Sequence, residues 1–361
     1  MTDTAAAAPH AWVEVDLCAI VANARRVAQV SASRLMPMVK ANAYGLGAVP
    51  VARALAAADP WGFGVATIDE GRELRRGGVT LPIVVFTPLL PAWVPAMAAA
   101  ELTPVIGTVE ALDAWTSLRR GLRFHIGLDT GMNRAGASVT DPELLLALRD
   151  RIGNATGYEG ACTHFHSADV DAESVDRQWR AFQQAIDALG PRPPLVHAAN
   201  SAAALLGPQY GGDLVRPGIY LYGGRAGTGG ADPAPAATFQ ASVVSVRTIP
   251  AGESVSYAAI WRASGTARIA TVAAGYADGL PLEFATAGRM AVRGQVAPVR
   301  GRVTMDMTML EVPADVVPGD VATIFGGPLP LDQQAERAGT ISYHLLTSMG
   351  RRVERRYEGT P

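Results

Sequence analysis

The sequence predicts an α/β protein in which an N-terminal (β/α)8 (TIM) barrel precedes a mostly β C-terminal domain. From about residue 34 to residue 222, eight short β-rich runs alternate with segments whose apolar residues recur at helical spacing. A stretch dense in glycine, proline and alanine follows, and the runs beyond it alternate apolar and polar residues as half-buried strands do. The 361 residues, of which 49% are hydrophobic, are enough to bury the cores of two such domains.

The overall composition favours a cytoplasmic protein with a small-molecule ligand. The formal net charge of −2 gives no basic surplus that would attract nucleic acid or an anionic membrane. Cys18 and Cys162 are the only cysteines, and their separation argues against a disulfide framework and fits a reducing compartment. The N-terminal residues 1–10 lack the basic and apolar regions of a signal peptide, and no apolar stretch approaches the roughly 20 residues of a membrane span.

The eight candidate strands of the barrel are separated by helical patterns or turns. These strands are RLMPMV (34–39), WGFGVA (61–66), PIVVFT (82–87), TPVIG (103–107), LRFHIG (122–127), YEGACTHF (158–165), PLVHAA (194–199) and LVRPGIYLY (214–222). The helical segments are VARALAAA (51–58), IDEGRELRRGG (68–78), VEALDAWTSLRRG (109–121), DPELLLALRDRIG (141–153) and VDRQWRAFQQAIDALG (175–190). Thr67 with Glu70, and Asp141 before Pro142, are typical of helix N-termini. Eight such strands close a barrel, and a doubly wound open sheet is the structural alternative.

The segment GGRAGTGGADPAPAA (223–237) is interpreted as a linker, so the predicted domains are 11–233 and 234–361. No G-K-[ST] follows its glycines, which argues against a phosphate loop. The second domain contains the alternating runs FQASVVSVRTI, ARIATVAA, MAVRGQVAPVRGRVTM and DVATIF, and we expect no helix in it before the final LLTSMGRRV (345–353). WVEVDLCAI (12–20) begins with the same alternation, which makes residues 1–16 candidates for pairing into the β domain.

Several residues that carry chemistry fall at or beyond candidate strand ends, where the active site of a barrel is built. They are Lys40, His164, Asn200 with Ser201, and Arg216 with Gly218. A lysine that follows an apolar run is partly desolvated, which favours the neutral amine that attacks an aldehyde. Taken alone, Lys40 is better interpreted as a surface lysine at the end of a strand.

His164 and His166 raise the alternative of a metal-dependent barrel hydrolase, because side chains two apart on a strand share a face. His197 is a further candidate, but the sequence offers no convincing complete ligand set, so no metal is predicted. The other interpretation is that one of these histidines orients a neighbouring side chain through a hydrogen bond.

Eight motifs, in this order and on these elements, closely resemble those of the alanine racemases. They are VKANAYGLG, LDTGMNRAG, THFHSAD, HAANSAA, RPGIYLYG, VSYAAIW, GYADG and GRVTMD. The resemblance extends from about residue 11 to the C-terminal RRVERRY, which is essentially the whole chain. It implies an isomerase of fold-type III that depends on pyridoxal 5'-phosphate, interconverts L-alanine and D-alanine to supply D-alanine, and forms a homodimer whose active sites each draw on both chains.

The resemblance also assigns roles to individual residues. Lys40 matches the lysine that forms a Schiff base with the cofactor and later acts as one catalytic base, and Tyr257 of the partner subunit matches the base on the opposite face of Cα. Two bases are needed because one base that returns its proton to the same face restores the original configuration. Residues matched to the cofactor site are Lys40, Tyr44, His164, Ser201, Arg216, Gly218, Ile219 and Tyr343, and those matched to the substrate site are Arg134, Tyr276, Met305 and Asp306.

Within these assignments, Arg216 faces the pyridine nitrogen and His164 orients Arg216 by a hydrogen bond. Tyr44, Ser201 and Tyr343, with the backbone at Gly218 and Ile219, hold the phosphate. An arginine next to the ring nitrogen leaves that nitrogen unprotonated and restrains side reactions such as transamination.

Two positions depart from the family pattern. Gly127 replaces a lysine, often carbamylated, that supports the substrate-side arginine in many members, so Arg134 needs another support, such as an anion or water. Leu282 stands where an arginine usually follows GYADG, whereas Arg302 matches an arginine at the entrance. Because both changes open the pocket, one alternative is a racemase of another small amino acid such as serine. A decarboxylase-like homologue on the same scaffold is a separate alternative, which would not need the second base Tyr257.

Overall fold

A computed structural model describes residues 10–118, 121–227 and 230–360 of the chain. Residues 1–9, the larger part of the segment considered for N-terminal pairing, and residues 228–229 of the candidate linker lie outside the described residues. No helix in the described ranges has both the length and the apolarity to cross a lipid bilayer.

Strands and helices alternate in the N-terminal part, and the parallel strands of the barrel begin with the second strand. Strand β1 (Ala11–Asp16) and helix α1 (Leu17–Ser31) come first, and the Asp16 carboxylate caps α1 by accepting the backbone N–H of Ala19. The elements that follow are β2 (Arg34–Leu35), α2 (Lys40–Tyr44), α3 (Ala48–Leu55), β3 (Phe63–Val65), α4 (Ile68–Arg76), β4 (Ile83–Val85), α5 (Val94–Ala99), β5 (Thr103–Ile106), α6 (Val109–Thr116), β6 (Phe124–Asp129), β7 (Ala137–Ser138), α7 (Pro142–Ile152), β8 (Tyr158–Cys162), α8 (Ala172–Leu189), β9 (Leu195–His197), α9 (Ser201–Leu205) and β10 (Leu214–Val215).

Each of the eight predicted runs contains a strand, and the strand order closes a ring. The first and last strands are shorter than predicted, because β2 and β10 have two residues each and Ile219–Tyr222 forms a 3₁₀ turn instead. Strands β3, β4, β5, β6, β8 and β9 are successive parallel neighbours, and the short β7 pairs beside β6. The N–H of Arg216 donates to the carbonyl of Ala199 at 2.8 Å, which joins β10 to the end of β9, and β10 pairs with β2. A parallel bridge between Met38 and Gly64 links the end of β2 to β3. The predicted barrel is therefore confirmed, and the open-sheet alternative is wrong.

The two helix N-termini predicted in the barrel are confirmed. Thr67 and Glu70 form a reciprocal capping box at α4, and Asp141 caps α7 with Pro142 at its first position. Helix α5 was not among the predicted segments, because two prolines interrupt its pattern. Pro95 lies in its first turn, where the missing N–H costs no helical hydrogen bond.

The C-terminal part is mostly β. Its elements are β11 (Ala237–Ile249), β12 (Ser254–Val255), β13 (Trp261–Arg262), β14 (Ala267–Val272), α10 (Phe284–Ala287), β15 (Arg289–Val292), β16 (Gln295–Pro298), β17 (Thr308–Glu311), β18 (Val321–Phe325), α11 (Leu331–Arg337), α12 (Ser342–Thr347) and β19 (Glu354–Glu358). Strand β1 lies between β11, to which it is antiparallel, and β19, to which it is parallel. Residues 11–16 are thus held in the C-terminal sheet, while the domain boundary between residues 233 and 234 stays a prediction.

The expectation of no helix before LLTSMGRRV is wrong. Helices α10 and α11 precede that segment, and α12 begins at Ser342 and ends at Thr347, before the two arginines. Helix α11 forms because Leu331, Gln334 and Ala335 share one buried face. Gln334 completes the packing by donating from its buried amide to the carbonyls of Arg289 and Ile324.

Candidate active site

Lys40 begins a short left-handed turn at the carboxyl end of the first barrel strand. Residues 41–44, none of them glycine, have φ values from 51° to 56°. Left-handed backbone costs roughly 1–2 kcal/mol per residue, so the surrounding structure must hold this turn. Glu70 contributes by accepting the N–H of Ala41 at 2.7 Å, while its other carboxylate oxygen accepts the N–H groups of Ala66 and Thr67. The cap of helix α4 therefore also fixes the backbone next to Lys40.

The surroundings of Lys40 disfavour its ammonium form. Burial lowers the pKa of the Lys40 amine, and the positive charges of Arg134 and Arg216 lower it further, whereas the carboxylate of Glu70 acts in the opposite direction. A neutral amine at the mouth of the barrel is a nucleophile and a proton acceptor.

The Lys40 amine faces a cavity of about 320 Å³ at the carboxyl ends of the strands. Arg134, His164 and Arg216 line the same cavity, so the structure brings together four of the residues assigned from the sequence. Among the described lining residues, Arg134 and Arg216 are cations and Asp129 is the single carboxylate. This excess of positive charge suits a ligand that carries anionic groups.

Arg216 is 4% exposed and is held from several sides. Its Nη1 donates to Nδ1 and to the carbonyl of His197, both at 2.8 Å. Its Nη2 donates to the carbonyls of Thr163 at 2.6 Å and Ala198 at 2.9 Å, and to Nδ1 of His164 at 3.2 Å. Both terminal nitrogens are engaged, and within the described residues Nε–H is the donor that remains for a ligand in the cavity.

His164 accepts from Arg216 as a neutral imidazole. Burial, together with the charges of Arg216, Arg134 and Lys40, lowers the pKa of His164 to about 3. His164 thus orients the arginine without competing with it for a proton. The contact is the one that the family resemblance predicts.

Hydroxyl groups and a glycine backbone form a second cluster near Lys40. The N–H of Gly218 donates to Oγ of Ser201 at 2.8 Å, and the Tyr44 hydroxyl lies so close that a Cβ at Gly218 would be 2.2 Å from it. The ring of Tyr343 lies 5.9 Å from that of Tyr44, and Ile219 begins the 3₁₀ turn after Gly218. Burial raises the pKa of Tyr44 and that of Tyr343, the latter to about 12, so both phenols stay protonated donors.

The position of the missing lysine is closed to a side chain by its neighbour. A Cβ at Gly127 would lie 2.7 Å from Cγ1 of Val105. Arg134 is instead held by its backbone, because the Asp129 carboxylate accepts its N–H at 3.1 Å together with the N–H groups of Gly131 and Asn133. The Asp129 carboxylate therefore stabilises the loop of residues 131–134 by accepting three of its backbone N–H groups.

The predicted site residues of the β domain lie outside the cavity in the single chain. Tyr257 is 70% exposed, Met305 53% and Tyr276 45%, and Asp306 is exposed as well. These four residues do not line the cavity that contains Lys40. The structure thus does not bring the two predicted bases together within one chain.

Backbone strain is concentrated around Tyr257. Ser256, Ala258 and Ala259 have φ values of 67°, 61° and 48°, although none of them is glycine. Oγ of Ser256 donates to the carbonyl of Arg302 at 2.8 Å, which ties this segment to the loop that carries Met305 and Asp306. Such strain is characteristic of sites where function requires a fixed geometry.

Arg352 connects the exposed loop around residue 276 to the exposed loop around residue 305. Its Nε and Nη2 donate to the two oxygens of the buried Asp278 at 2.6 and 2.9 Å, and its Nη1 lies 2.8 Å from a carboxylate oxygen of Asp306. The N–H of Tyr276 donates to the carbonyl of Thr304 at 3.0 Å. The loops around 276 and 305 are therefore one connected surface.

The structure separates the two histidines of the hydrolase hypothesis. Strand β8 ends at Cys162, so strand alternation no longer applies at His164 and His166, and the expectation that both face the same way is wrong. His166 is exposed and lies 2.6 Å from Oγ of Ser167. Within the described residues, no three histidine, cysteine, aspartate or glutamate side chains are grouped to hold a metal.

The sequence analysis missed several polar residues that support the site. His125, Glu159, Asp278 and Arg352 were not singled out, and Glu70 was interpreted only as a helix cap. The available signal was weak, because their partners are distant in sequence, except that His125 lies within an otherwise apolar strand.

Comparisons with known proteins agree with this geometry. The family models "Alanine racemase, N-terminal domain" and "Alanine racemase, C-terminal domain" match residues 15–226 and 236–357. The chain is 37% identical to an alanine racemase of Acidiphilium cryptum over 358 residues, which cover 96% of this chain and 98% of that one.

Solved structures of similar proteins share the fold. The alanine racemase from E. faecalis superposes with a TM-score of 0.90 at 31% identity, over 97% of this chain and 98% of that one. The alanine racemase from Bartonella henselae with covalently bound pyridoxal phosphate also gives a TM-score of 0.90, at 29% identity, over 97% of this chain and 100% of that one.

Proposed function

Because the chain belongs to the alanine racemase family, we propose that it interconverts L-alanine and D-alanine with pyridoxal 5'-phosphate as its cofactor. The observation that carries this proposal is the cavity in which Lys40, with its lowered pKa, faces Arg134 and Arg216. We further propose a cytoplasmic homodimer that supplies D-alanine.

The donor set fits this cofactor. Lys40 is the only lysine among the 31 lysine and arginine residues, so it provides the only ε-amine that can bond to an aldehyde. The hydroxyls of Tyr44, Ser201 and Tyr343, with the backbone at Gly218 and Ile219, are neutral donors of the kind that hold a phosphate. When bound at this site, pyridoxal phosphate withdraws electrons from the Cα of an amino acid and so acidifies its Cα–H bond.

Racemisation needs one proton acceptor and one proton donor on opposite faces of Cα. Lys40 supplies an amine whose pKa is lowered by burial and by neighbouring cations, which favours its neutral form. Tyr257 of the partner subunit supplies the second group, and its exposure in the single chain leaves it free to reach another subunit. The proton that one group removes comes from one face, and the other group returns a proton to the opposite face.

Arg216 and Arg134 have different tasks. With the cofactor bound, Nε–H of Arg216 would be the donor available to the pyridine nitrogen, and the guanidinium remains a cation although burial lowers its pKa to about 10. Arg134 lies near the position of the substrate carboxylate and favours binding of the zwitterionic amino acid. Tyr276, Met305 and Asp306 complete the substrate pocket from the partner subunit.

Serine is a second candidate substrate, favoured by the cavity next to Gly127. The cavity wall there includes Gly107, Gly136 and Cys162, and Val105 is the larger side chain beside Gly127. A substrate side chain with one more oxygen than alanine has room at this wall. Values of kcat/KM across a panel of L-amino acids test this, and a strict preference for alanine would exclude it.

The direct test of the proposed function is exchange of the Cα proton with solvent deuterium. We expect the wild-type holoenzyme to exchange both alanine enantiomers. Lys40→Ala and Tyr257→Phe should each abolish racemisation, and Tyr257→Phe should retain exchange with one enantiomer only. Borohydride reduction followed by peptide mapping should place the cofactor on Lys40. A chain that binds pyridoxal phosphate but leaves the Cα proton of both enantiomers in place contradicts the proposal.

A further inference from the structure

A series of hydrogen-bonded side chains extends from Arg216, away from the cavity, to the outside of the barrel. Nδ1 of His197 accepts from Arg216, and Nε2 of His197 lies 2.8 Å from Nδ1 of His125. Nε2 of His125 lies 3.3 Å from Oε2 of Glu159, whose other oxygen lies 3.1 Å from Nη1 of Arg123 at the surface. His125, Glu159 and His197 lie on the neighbouring strands β6, β8 and β9.

The donor and acceptor properties of these groups determine the direction of every hydrogen bond in the series. Arginine can only donate, so Nδ1 of His197 is an acceptor and its ring carries its proton on Nε2. That proton is donated to Nδ1 of His125, which therefore also carries its proton on Nε2. His125 donates in turn to Glu159, a carboxylate that can only accept. Each of the two imidazoles has one tautomer that satisfies both of its neighbours.

Burial keeps the two imidazoles neutral, as this pattern requires. His125 and His197 are both 0% exposed. Burial lowers the pKa of each, and the charge of Arg216 lowers both further, whereas Glu159 opposes the shift at His125 without reversing it. The ring of His125 also depends on a gap in the neighbouring strand, because a Cβ at Gly160 would lie 2.9 Å from it.

We propose that His197, His125 and Glu159 are positioning residues that fix the guanidinium of Arg216 through a one-way hydrogen-bond relay ending in a carboxylate. This inference rests on the proposed function, in which Nε–H of Arg216 faces the cofactor ring. The relay connects the buried guanidinium of Arg216 through two imidazoles to the carboxylate of Glu159, which Arg216 does not contact directly. It also fixes the tautomer of His197, so that the lone pair on Nδ1 always faces Arg216.

The tautomers can be observed without measuring activity. In the full chain with 15N-labelled histidine, the nitrogen chemical shifts of His125 and His197 should report a proton on Nε2 in both rings, before and after addition of pyridoxal phosphate. Assignment uses His125→Leu and His197→Asn. A proton on Nδ1 of His197, or a charged imidazolium at either position at neutral pH, overturns the relay even if the enzyme is a racemase.

Variants then test what the relay does for Arg216. Glu159→Gln keeps the size of the side chain but removes its charge, and one orientation of its amide opposes the N–H of His125. We expect it to change the 15N shifts of both histidines, to weaken the binding of pyridoxal phosphate to the apoprotein and to lower kcat on the order of 10-fold with little change in KM, as for other residues that orient a ligand-binding side chain. His125→Leu should have a larger effect in the same direction.

Tyr158→Phe is the matched control, because Tyr158 precedes Glu159 on the same strand and its buried hydroxyl has no partner among the described residues. It should leave the shifts, the cofactor affinity and kcat unchanged. If Glu159→Gln behaves like Tyr158→Phe in all three measurements, the relay has no positioning role. If wild type binds no pyridoxal phosphate and racemises nothing, the proposed function fails, while the tautomers still decide whether the relay exists.

Discussion

Lys40 is the only lysine of the chain, and its setting determines its reactivity. Burial and the charges of Arg134 and Arg216 all oppose protonation of its amine, and Glu70 offsets them only in part. The folded-state pKa therefore lies below the reference value of 10.5, and the reactive neutral form is reached at lower pH than for a free lysine.

Because the chain has no other lysine, the pKa of Lys40 can be measured with an amine-specific reagent. In the apoprotein, the rate of Lys40 modification should rise with pH and reach half of its maximum below pH 10.5. Peptide mapping distinguishes Lys40 from the N-terminal amine. Arg134→Gln should move the midpoint upward, because it removes a positive charge. A midpoint at or above 10.5 in the wild type would show that Lys40 is an ordinary solvated lysine.

Gly127 shows how one missing side chain is accommodated by a neighbour. Because a Cβ there would lie 2.7 Å from Val105, we expect Gly127→Ala to lower the free energy of unfolding by about 1–3 kcal/mol. In a Val105→Ala background the same substitution should cost little. Urea unfolding of the four proteins in this double-mutant cycle gives the comparison, and an equal cost in both backgrounds would refute the steric explanation.

At the scale of elements, helix α4 and the left-handed turn at 41–44 share the Glu70 carboxylate. The sequence predicts the cap from Thr67 and Glu70, because a capping box is a local pattern. It does not predict the turn, since four successive residues other than glycine at positive φ contradict their own backbone preferences. Contacts that are distant in sequence, such as the hydrogen bond from Ala41 to Glu70, add to the local hydrogen bonds of the turn in stabilising that conformation.

Two substitutions separate the roles of Glu70. Thr67→Ala removes the hydroxyl half of the cap and should lower the free energy of unfolding by about 0.5–2 kcal/mol, with kcat/KM nearly unchanged. Glu70→Gln retains only one oxygen for the N–H groups that two oxygens now accept, so it should also lower kcat/KM, by about 10-fold. Steady-state kinetics and urea unfolding decide the matter. Equal kinetic effects of the two substitutions would mean that Glu70 does not position Lys40.

At the scale of the whole molecule, the strand order and the β-rich C-terminal part follow from periodicity, as the closed barrel shows. Helix α11 cannot be predicted from periodicity, because it depends on the face that packs against the sheet. The His125 relay cannot be predicted either, because it depends on hydrogen bonds across strands. The same limit applies to Tyr257. Its strained, exposed segment is a property of the folded chain, and it contacts no cavity residue until a second subunit is present in the proposed dimer.

The central claim is that Lys40 of one subunit and Tyr257 of the partner subunit serve the same substrate. Lys40→Ala and Tyr257→Phe homodimers should each be inactive, because every site lacks one base. If subunits are exchanged between them, each heterodimer has one site with both substitutions and one with neither, so an equal mixture should recover about a quarter of wild-type racemase activity. Recovery of that size, with none in either protein alone, is the result we predict; a mixture whose heterodimers form and remain inactive would contradict the account.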